Sequence, residues 1–264
     1  MTLETQNPGL PIEPAASTPP IESAMFKSRL LHPSEETFMR IGDSLTGARV
    51  LITQSDEFMG PPLVEAFRAY GATVIADPAP VAGPGAAEAI VERAGEVDVL
   101  VCNFSYPSPY TAATGVTDEE WSGVFAHLVD PLPRLARSVL PGMIARRRGK
   151  IIVMGSSTAL RGQKRITTYS AARGAQLAWA RSLATEVAPH NVQVNMIAQN
   201  FVENPTYYGP EVQALPAFQD RLRREVPAQR LGKPHESALL AVLFASSEVD
   251  FVVGQSLSVD GGWS

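Results

Sequence analysis

The stretch IIVMGSSTALRGQKRITTYSAARGA, residues 151–175, contains a strand pattern, a turn and the start of a helix pattern in succession. Its first four residues, Ile151–Met154, are all apolar, which is typical of a short strand buried on both faces of a sheet. A helix pattern begins near residue 168 and continues to residue 188. The stretch therefore predicts one strand–helix unit of an α/β fold.

Strand and helix patterns alternate along the rest of the chain from Arg49 onward. Strand patterns lie near residues 49–53, 72–76, 97–102, 150–154, 192–197 and 256–259. Helix patterns lie near residues 61–70, 85–95, 118–146, 168–188, 211–225 and 235–247. Repeated strand–helix units predict a single doubly wound parallel sheet with helices on both faces, a Rossmann-like α/β domain. In such a sheet, ligands bind at the carboxyl ends of the strands.

Residues 1–46 differ in composition from the alternating region that follows. The segment from Asn7 to Pro20 contains five prolines and little apolar periodicity, a composition typical of a flexible arm. We therefore expect a proline-rich, partly flexible N-terminal extension at residues 1–46 and one catalytic domain at residues 47–264. The extension lacks the basic start and long apolar core of a secretory signal, so export is not expected.

Composition excludes several classes of function. The formal net charge is −5 and the sequence pI is about 5.5, so neither nucleic acid nor an anionic membrane is an expected partner. No apolar stretch approaches the roughly 20 residues that span a bilayer. The single cysteine, Cys102, excludes an intrachain disulfide and favours the cytoplasm. The four histidines, His32, His127, His190 and His235, have no metal-ligand spacing, so no metal site is expected.

Tyr169 and Arg173 are four residues apart, so they share one face of the predicted helix. A cation at that distance favours the phenolate over the phenol, which suits the tyrosine to act as a general base. Ser156 follows the apolar strand and lies thirteen residues before the tyrosine, so its hydroxyl can hold a substrate oxygen beside the phenol. Ser157 is the main rival for this role, and the thirteen-residue spacing favours Ser156.

This arrangement resembles the Ser–Tyr–Lys constellation of the short-chain dehydrogenases/reductases, with arginine in place of lysine. In that superfamily the lysine also binds the ribose of a nicotinamide cofactor, and arginine is not a conservative replacement for it. The superfamily's cofactor loop has the pattern Thr-Gly-x-x-x-Gly-x-Gly. Aligned on Thr53, this pattern places Gln54, Phe58 and Gly60 at the glycine positions. Two side chains thus stand where a dinucleotide needs glycine.

Asp77, at the end of the second predicted strand, is the residue that favours a nicotinamide enzyme. An acid at this position can bind the adenosine ribose of NAD. Asp77 also precedes Pro78 in a turn, and because the phosphate loop lacks its glycines we favour this structural role. We therefore predict that the protein uses no cofactor.

A Ser–Tyr–Arg triad with an aromatic residue in place of a loop glycine resembles the halohydrin dehalogenases, over the chain from Arg49 to the C-terminus. The resemblance implies that the catalytic residues are Ser156, Tyr169 and Arg173. It also implies a halide and substrate site formed by Phe58, Gln199, Asn200, Phe201, Val202 and Tyr207. Further aromatic residues expected to wall the cavity are Phe104, Tyr106, Tyr110 and Tyr208.

The implied reaction is the dehalogenation of a small vicinal haloalcohol to an epoxide and a halide ion, and the reverse opening of an epoxide by a small anion. Ser156 would hold the hydroxyl oxygen while Tyr169 removes its proton, and the alkoxide would displace the halide from the neighbouring carbon. The C-terminal pattern Asp260-Gly261-Gly262 matches the short-chain superfamily and implies a homotetramer.

Three alternatives stay open at this level. The first is an NAD(P)-dependent short-chain oxidoreductase with an atypical cofactor loop. The second is an inactive scaffold used for binding or regulation, and the presence of Ser156 and Tyr169 argues against it. The third is a hydrolytic haloalkane dehalogenase, which needs a carboxylate nucleophile with a histidine partner, and no such arrangement is visible in the sequence.

Overall fold

Six parallel strands form one sheet in the computed structural model, which describes residues 45–264. The strands are β1 (Arg49–Thr53), β2 (Thr73–Asp77), β3 (Val99–Asn103), β4 (Gly149–Ser156), β5 (Val192–Gln199) and β6 (Ser256–Val259). Their order is β2-β1-β3-β4-β5-β6, and every neighbouring pair is parallel. The chain moves from β1 to one side and then returns to the other, so the switch point lies between β1 and β3.

Helices cover both faces of this sheet, which confirms the predicted fold. The helices are α1 (Gly60–Ala69), α2 (Ala86–Ala94), α3 (Asp118–Leu128), α4 (Pro131–Arg146), α5 (Thr167–Val187), α6 (Pro210–Gln213), α7 (Pro216–Glu225) and α8 (Pro234–Ala245). One buried cluster joins α2, α3, α4 and α5 to the sheet, and another joins α1 and α8 to it. Ile151 belongs to the first cluster and Ile152 to the second, because neighbouring strand residues point to opposite faces.

The single helix predicted over residues 118–146 is wrong, because α3 ends at Leu128 and α4 begins at Pro131. Proline has no N–H group, so it cannot extend the helical hydrogen-bond ladder. Across the break, the N–H of Leu132 donates to the carbonyl of Val129 at 3.0 Å. The carbonyl of Leu128 thereby becomes available to a side-chain donor.

The other predicted strands and helices agree with the structure to within two residues at each end, apart from the helix at 211–225. Pro216 begins a new helix there, so this segment forms α6 and α7. Both short helices follow β5, and α7 contributes a side chain to the candidate site described below.

The N-terminal extension predicted at residues 1–46 lies outside the described residues, apart from Leu45 and Thr46. Leu45 is buried in the cluster that contains α1. Within residues 45–264, no helix is long and apolar enough to cross a membrane. The same part of the chain holds no group of three or more His, Cys, Asp or Glu side chains placed to bind a metal ion. Cys102 lies in the core, where burial raises the pKa of its thiol.

Candidate active site

The carboxyl ends of the central strands bring the predicted site residues to one edge of the sheet. Ser156, the last residue of β4, pairs in register with Gln199, the last residue of β5. A cavity of about 180 Å³ opens beside Ser156 and Tyr169. All of the predicted site residues line this cavity except Arg173, which is fully buried. Pockets for drug-sized ligands have volumes of about 300–1,000 Å³, so this cavity suits a smaller molecule.

Arg173 is a buried cation with no acidic partner in the described part of the chain. Its Nη1 donates to the carbonyl of Met154 at 3.1 Å and to Gln176 Oε1 at 3.0 Å. Its Nη2 donates to the carbonyl of Phe104 at 3.3 Å. No carboxylate within residues 45–264 pairs with the guanidinium, and its Nε has no hydrogen-bond partner there. These neutral oxygens satisfy hydrogen bonds without cancelling the charge, so the site favours a neighbouring anion.

Tyr169 is held next to this charge by the helix α5. The Arg173 Cζ atom lies 4.9 Å from the centre of the Tyr169 ring, and only 6% of the tyrosine surface is exposed. Because the tyrosine also lines the cavity, its hydroxyl can meet a ligand while the ring remains against the cation. The site therefore places a buried cation against the ring of a tyrosine whose side chain lines the cavity.

Ser156 offers its hydroxyl to the cavity as a hydrogen-bond donor. Its Oγ accepts hydrogen bonds from the Thr158 N–H at 3.2 Å and from Thr158 Oγ1 at 3.0 Å. Since both contacts use oxygen lone pairs, the Ser156 hydrogen remains free for a ligand oxygen. The rival Ser157 is fully buried and donates to the carbonyl of Ala198 at 2.8 Å, so its hydroxyl is engaged in the sheet.

Gln176 connects Arg173 to the break between α3 and α4. Its Nε2 donates to the freed carbonyl of Leu128 at 2.6 Å, while its Oε1 accepts from Arg173. Gln176 is fully buried in α5, and these two hydrogen bonds fix which way its amide group is oriented. Gln176 was not among the predicted site residues, although its i,i+3 spacing from Arg173 places the two on one face of α5.

The segment after β5 supplies the candidate halide site. Asn200 Oδ1 accepts from the Phe201 N–H at 2.9 Å and from the Tyr208 hydroxyl at 2.8 Å. The Asn200 Nδ2 is buried and has no acceptor within residues 45–264, so a donor is available for an anion. The Gln199 side chain instead accepts from Ser237 Oγ at 2.8 Å. The Gln199 Oε1 is therefore held by α8, although the residue lines the cavity.

Tyr207 forms an aromatic wall of the cavity and is not a second base. Its ring contacts Phe58 and Tyr169 edge-on, with centroid distances of 5.8 and 6.4 Å. Its hydroxyl donates to the carbonyl of Tyr106 at 2.5 Å. Burial, together with the neighbouring Tyr169, raises the pKa of Tyr207, so this phenol stays protonated at neutral pH.

The other predicted aromatic walls are partly wrong. Tyr208 lines the cavity as expected. Phe104 is fully buried, Tyr106 contributes its backbone carbonyl, and Tyr110 is 66% exposed, so none of these three lines the cavity. All three residues follow β3, and their position in the sequence does not distinguish a buried or exposed side chain from one that lines the cavity.

The loop after β1 keeps the backbone of a glycine loop but fills it with side chains. Gln54 and Phe58 have positive φ angles of 44° and 52°, in the left-handed region that glycine adopts without strain. Gln54 Oε1 accepts from the Ser105 N–H at 3.1 Å. Phe58 is only 4% exposed and its ring centre lies 6.0 Å from Arg173 Cζ. Gly60 is required at its position, because a Cβ atom would lie 2.2 Å from the Ser55 carbonyl oxygen.

Several N–H groups of the same loop are unavailable to a pyrophosphate. Four amide hydrogens are used within the domain, with Ser55 donating to Asp77, Glu57 to Gln54, Met59 to Asn103 and Gly60 to Glu57. Pro61 and Pro62, in the first turn of α1, have no N–H to donate. A pyrophosphate binds at such a helix end through backbone amides that glycines leave accessible, so the two prolines and the side chains of Gln54 and Phe58 do not suit a dinucleotide.

Asp77 has the structural role that the turn suggested. Its Oδ1 accepts from the Ala79 N–H at 2.9 Å, and its Oδ2 accepts from Arg93 at 2.8 Å. Both carboxylate oxygens are therefore engaged by protein donors rather than presented to a ribose.

Sequence comparisons establish the family. The family model described as Enoyl-(Acyl carrier protein) reductase matches residues 45–264. The chain belongs to the short-chain dehydrogenase/reductase superfamily. A curated relative, the 3-oxoacyl-(acyl-carrier-protein) reductase FabG of Vibrio harveyi, is 33% identical over 177 residues, which are 66% of this chain and 69% of the relative.

Solved structures similar to this member of the superfamily include dehalogenases as well as a dehydrogenase. A protein titled "Dehalogenation enzyme" superposes with a TM-score of 0.77 at 28% identity, covering 83% of this chain and 99% of that chain. The halohydrin dehalogenase HheC bound to ethyl (2S)-oxiran-2-ylacetate has a TM-score of 0.74 at 26% identity, with coverages of 81% and 96%. A gluconate 5-dehydrogenase from Burkholderia cenocepacia J2315, in complex with NADP and tartrate, superposes with a TM-score of 0.76 at 26% identity, covering 84% of this chain and 98% of that chain.

Proposed function

We propose that the protein is a cofactor-independent halohydrin dehalogenase, which converts small vicinal haloalcohols into epoxides and halide and also opens epoxides with small anions. The observation that carries this proposal is the fully buried Arg173 guanidinium, which lies against the ring of Tyr169 and has no acidic partner among residues 45–264. This charge favours a phenolate that abstracts a proton. The similarity to two solved dehalogenases supports the same reaction class.

The reaction needs a hydrogen-bond donor, a base and a place for the leaving anion. Ser156 donates its hydroxyl hydrogen to the substrate oxygen, and the Tyr169 phenolate accepts the substrate's hydroxyl proton. The alkoxide oxygen then bonds to the neighbouring carbon while the carbon–halogen bond breaks, and the electron pair of that bond leaves with the halide. The nucleophile belongs to the substrate, so the protein contributes alignment and acid–base chemistry.

The candidate place for the halide lies between Phe58 and the segment Gln199–Val202. Asn200 Nδ2 supplies a buried donor without a protein acceptor among the described residues. The edges of aromatic rings are electropositive, so the ring of Phe58 is compatible with a bound anion. Bromide should therefore act as a product inhibitor and occupy this position in a bromide-soaked crystal, and anomalous density confined to surface positions would count against it.

An NAD(P)-dependent oxidoreductase is the second candidate, favoured by the names of the curated relatives and by the NADP complex of a structural neighbour. The occupied amides and the two prolines of the loop after β1 argue against it. Calorimetric titration with NAD(H) and NADP(H) distinguishes the two, since we expect no specific binding. A micromolar dissociation constant for any of these nucleotides would restore the oxidoreductase.

Halide release from a panel of vicinal bromo- and chloroalcohols, without added cofactor, tests the proposed reaction directly. We expect release that depends on the enzyme, together with formation of the matching epoxide. Absence of release across the panel would remove the proposal. We further expect a homotetramer, as the resemblance implies, in the cytoplasm, and light scattering should give four times the chain mass of 28.3 kDa.

A further inference from the structure

The cavity has one charged side chain in its lining, and the proposed reaction does not use it. Among the described residues that line the cavity, this side chain is Arg221 of α7. No acidic side chain of the described chain lines the same space. The cavity therefore combines Ser156 and Tyr169 at the end of β4 and in α5 with a cation from α7.

Arg221 is positioned by two neighbours that leave its ends free. Its Cζ lies 5.1 Å from the centre of the Phe201 ring, and its Nε donates to Glu225 Oε2 at 3.1 Å. Neither Nη1 nor Nη2 has a hydrogen-bond acceptor within residues 45–264. The side chain is 33% exposed, so the guanidinium lies between the cavity and solvent.

The neighbouring tyrosine places this cation close to the Asn200 carboxamide. Burial raises the pKa of Tyr208 to about 12, and Arg221 is the main charge that opposes this shift. The Tyr208 hydroxyl donates to Asn200 Oδ1 at 2.8 Å, which leaves the buried Asn200 Nδ2 without an acceptor in the described chain. The cavity therefore offers two separate donor groups, the Asn200 Nδ2 and the Arg221 Nη atoms.

We propose that Arg221 binds a carboxylate carried by the substrate, so that the preferred substrates are small haloalcohols or epoxides with an acid group. This inference rests on the proposed dehalogenase function and specifies its substrate class. A guanidinium presents two parallel N–H donors that match the two oxygens of a carboxylate. The free Nη atoms supply such donors, and the cavity volume limits the substrate to a few carbon atoms.

The halide itself is a less suitable occupant of this position. A halide is a single spherical acceptor, so it lacks the two oxygens that match the parallel N–H donors of a guanidinium. Arg221 is also one-third exposed, whereas the candidate halide site is formed by the buried Asn200 amide and the buried Phe58 ring. The two anions would thus occupy different parts of one cavity.

The test compares γ-bromo-β-hydroxybutyrate with its near-isosteric amide, γ-bromo-β-hydroxybutyramide, by enzyme-dependent bromide release. The wild-type protein should have a higher kcat/KM for the acid. In Arg221→Gln the ratio of kcat/KM for the acid to kcat/KM for the amide should decrease at least tenfold, because the KM for the acid rises. The ratio for Arg221→Lys should lie between those of the wild type and Arg221→Gln. A matched control is Arg224→Gln on the same helix, whose side chain also contacts Glu225 but is 70% exposed and does not line the cavity. This control should keep the wild-type ratio.

Calorimetric titration with the acid separates this inference from the proposed reaction. If the acid binds to wild type and binds at least tenfold more weakly to Arg221→Gln, the carboxylate site stands even if no bromide is released, and only the dehalogenase proposal fails. The inference is overturned if Arg221→Gln lowers turnover of acid and amide equally. It is also overturned if the variant changes only inhibition by bromide, or if Arg224→Gln has the same effect on the ratio.

Discussion

The loop after β1 and the first turns of α5 contribute to the same cavity, but they depart from the short-chain dehydrogenase pattern to different degrees. In α5 and at the end of β4, Ser156 and Tyr169 are present and a single residue, Arg173, differs. In the loop, side chains occupy two glycine positions and prolines remove amide donors. Ser156 and Tyr169 are thus retained in a chain whose loop has lost the glycines that a nucleotide requires.

The two regions also differ in their energetics. The partners of Arg173 within residues 45–264 are neutral protein oxygens, which accept its hydrogen bonds without cancelling its charge. Its charge is therefore available to stabilise an anion formed during the reaction. The loop, in contrast, keeps a backbone conformation that its residues do not favour. Gln54 and Phe58 are left-handed, which strains a non-glycine residue by about 1–2 kcal/mol.

The largest effect is expected from removing the base. Tyr169→Phe keeps the ring against Arg173 and deletes the hydroxyl, so halide release should fall by about 10²–10⁴-fold while thermal unfolding stays close to wild type. Steady-state halide release and circular dichroism measure the two quantities. A folded variant with nearly normal release would show that α5 does not carry the base.

Replacing the buried cation should have the next largest effect. Arg173→Met leaves nothing to favour the phenolate, so activity should fall and its optimum should move to higher pH, where the tyrosine ionises unaided. Arg173→Lys keeps the charge and loses the planar fork, so it should be impaired less. The pH–rate profiles of both variants test this order, and an unchanged profile in Arg173→Met would contradict it.

A new acid beside Arg173 should produce a smaller shift in the same direction. Gln176→Glu places a carboxylate where the neutral Oε1 now accepts from Nη1 at 3.0 Å, so it partly cancels the charge that favours the phenolate. The activity optimum should move to higher pH. Gln176→Met is the control that removes both hydrogen bonds without adding charge. It should lower the unfolding free energy by about 1–3 kcal/mol, and a pH shift as large as that of the glutamate would exclude the electrostatic explanation.

The smallest expected effect concerns the loop. The double variant Gln54→Gly with Phe58→Gly restores two glycines, yet Pro61 and Pro62 still lack N–H groups, so we expect no gain of nicotinamide binding. Calorimetric titration of the folded variant and of the wild type with NADPH measures this binding. Binding at micromolar concentrations would mean that the two side chains alone exclude the cofactor.

Local patterns predicted much of this protein because they depend on neighbours in the chain. The alternation of apolar strands and helices gave the parallel sheet, and the four-residue spacing placed Tyr169 and Arg173 on one face of α5. The breaks at Pro131 and Pro216 were equally local and were missed because apolar periodicity continued across them. Thr158, which holds the Ser156 oxygen, was also within reach of sequence reasoning, as one of three consecutive hydroxyl residues.

Residue order and residue type were enough to predict the fold, the shared helix face of Tyr169 and Arg173, and the side chains at the glycine positions, since each follows from backbone periodicity or from residue identity. Three further facts depend on tertiary packing: Arg173 has no acidic partner within residues 45–264, Phe104 is buried, and Arg221 of α7 lines the cavity. These facts depend on segments far apart in the chain, whose side chains meet only after β3, β4 and β5 have paired and the helices have packed over them. A charge acts over distance in space, so its partners cannot be read from distance along the sequence.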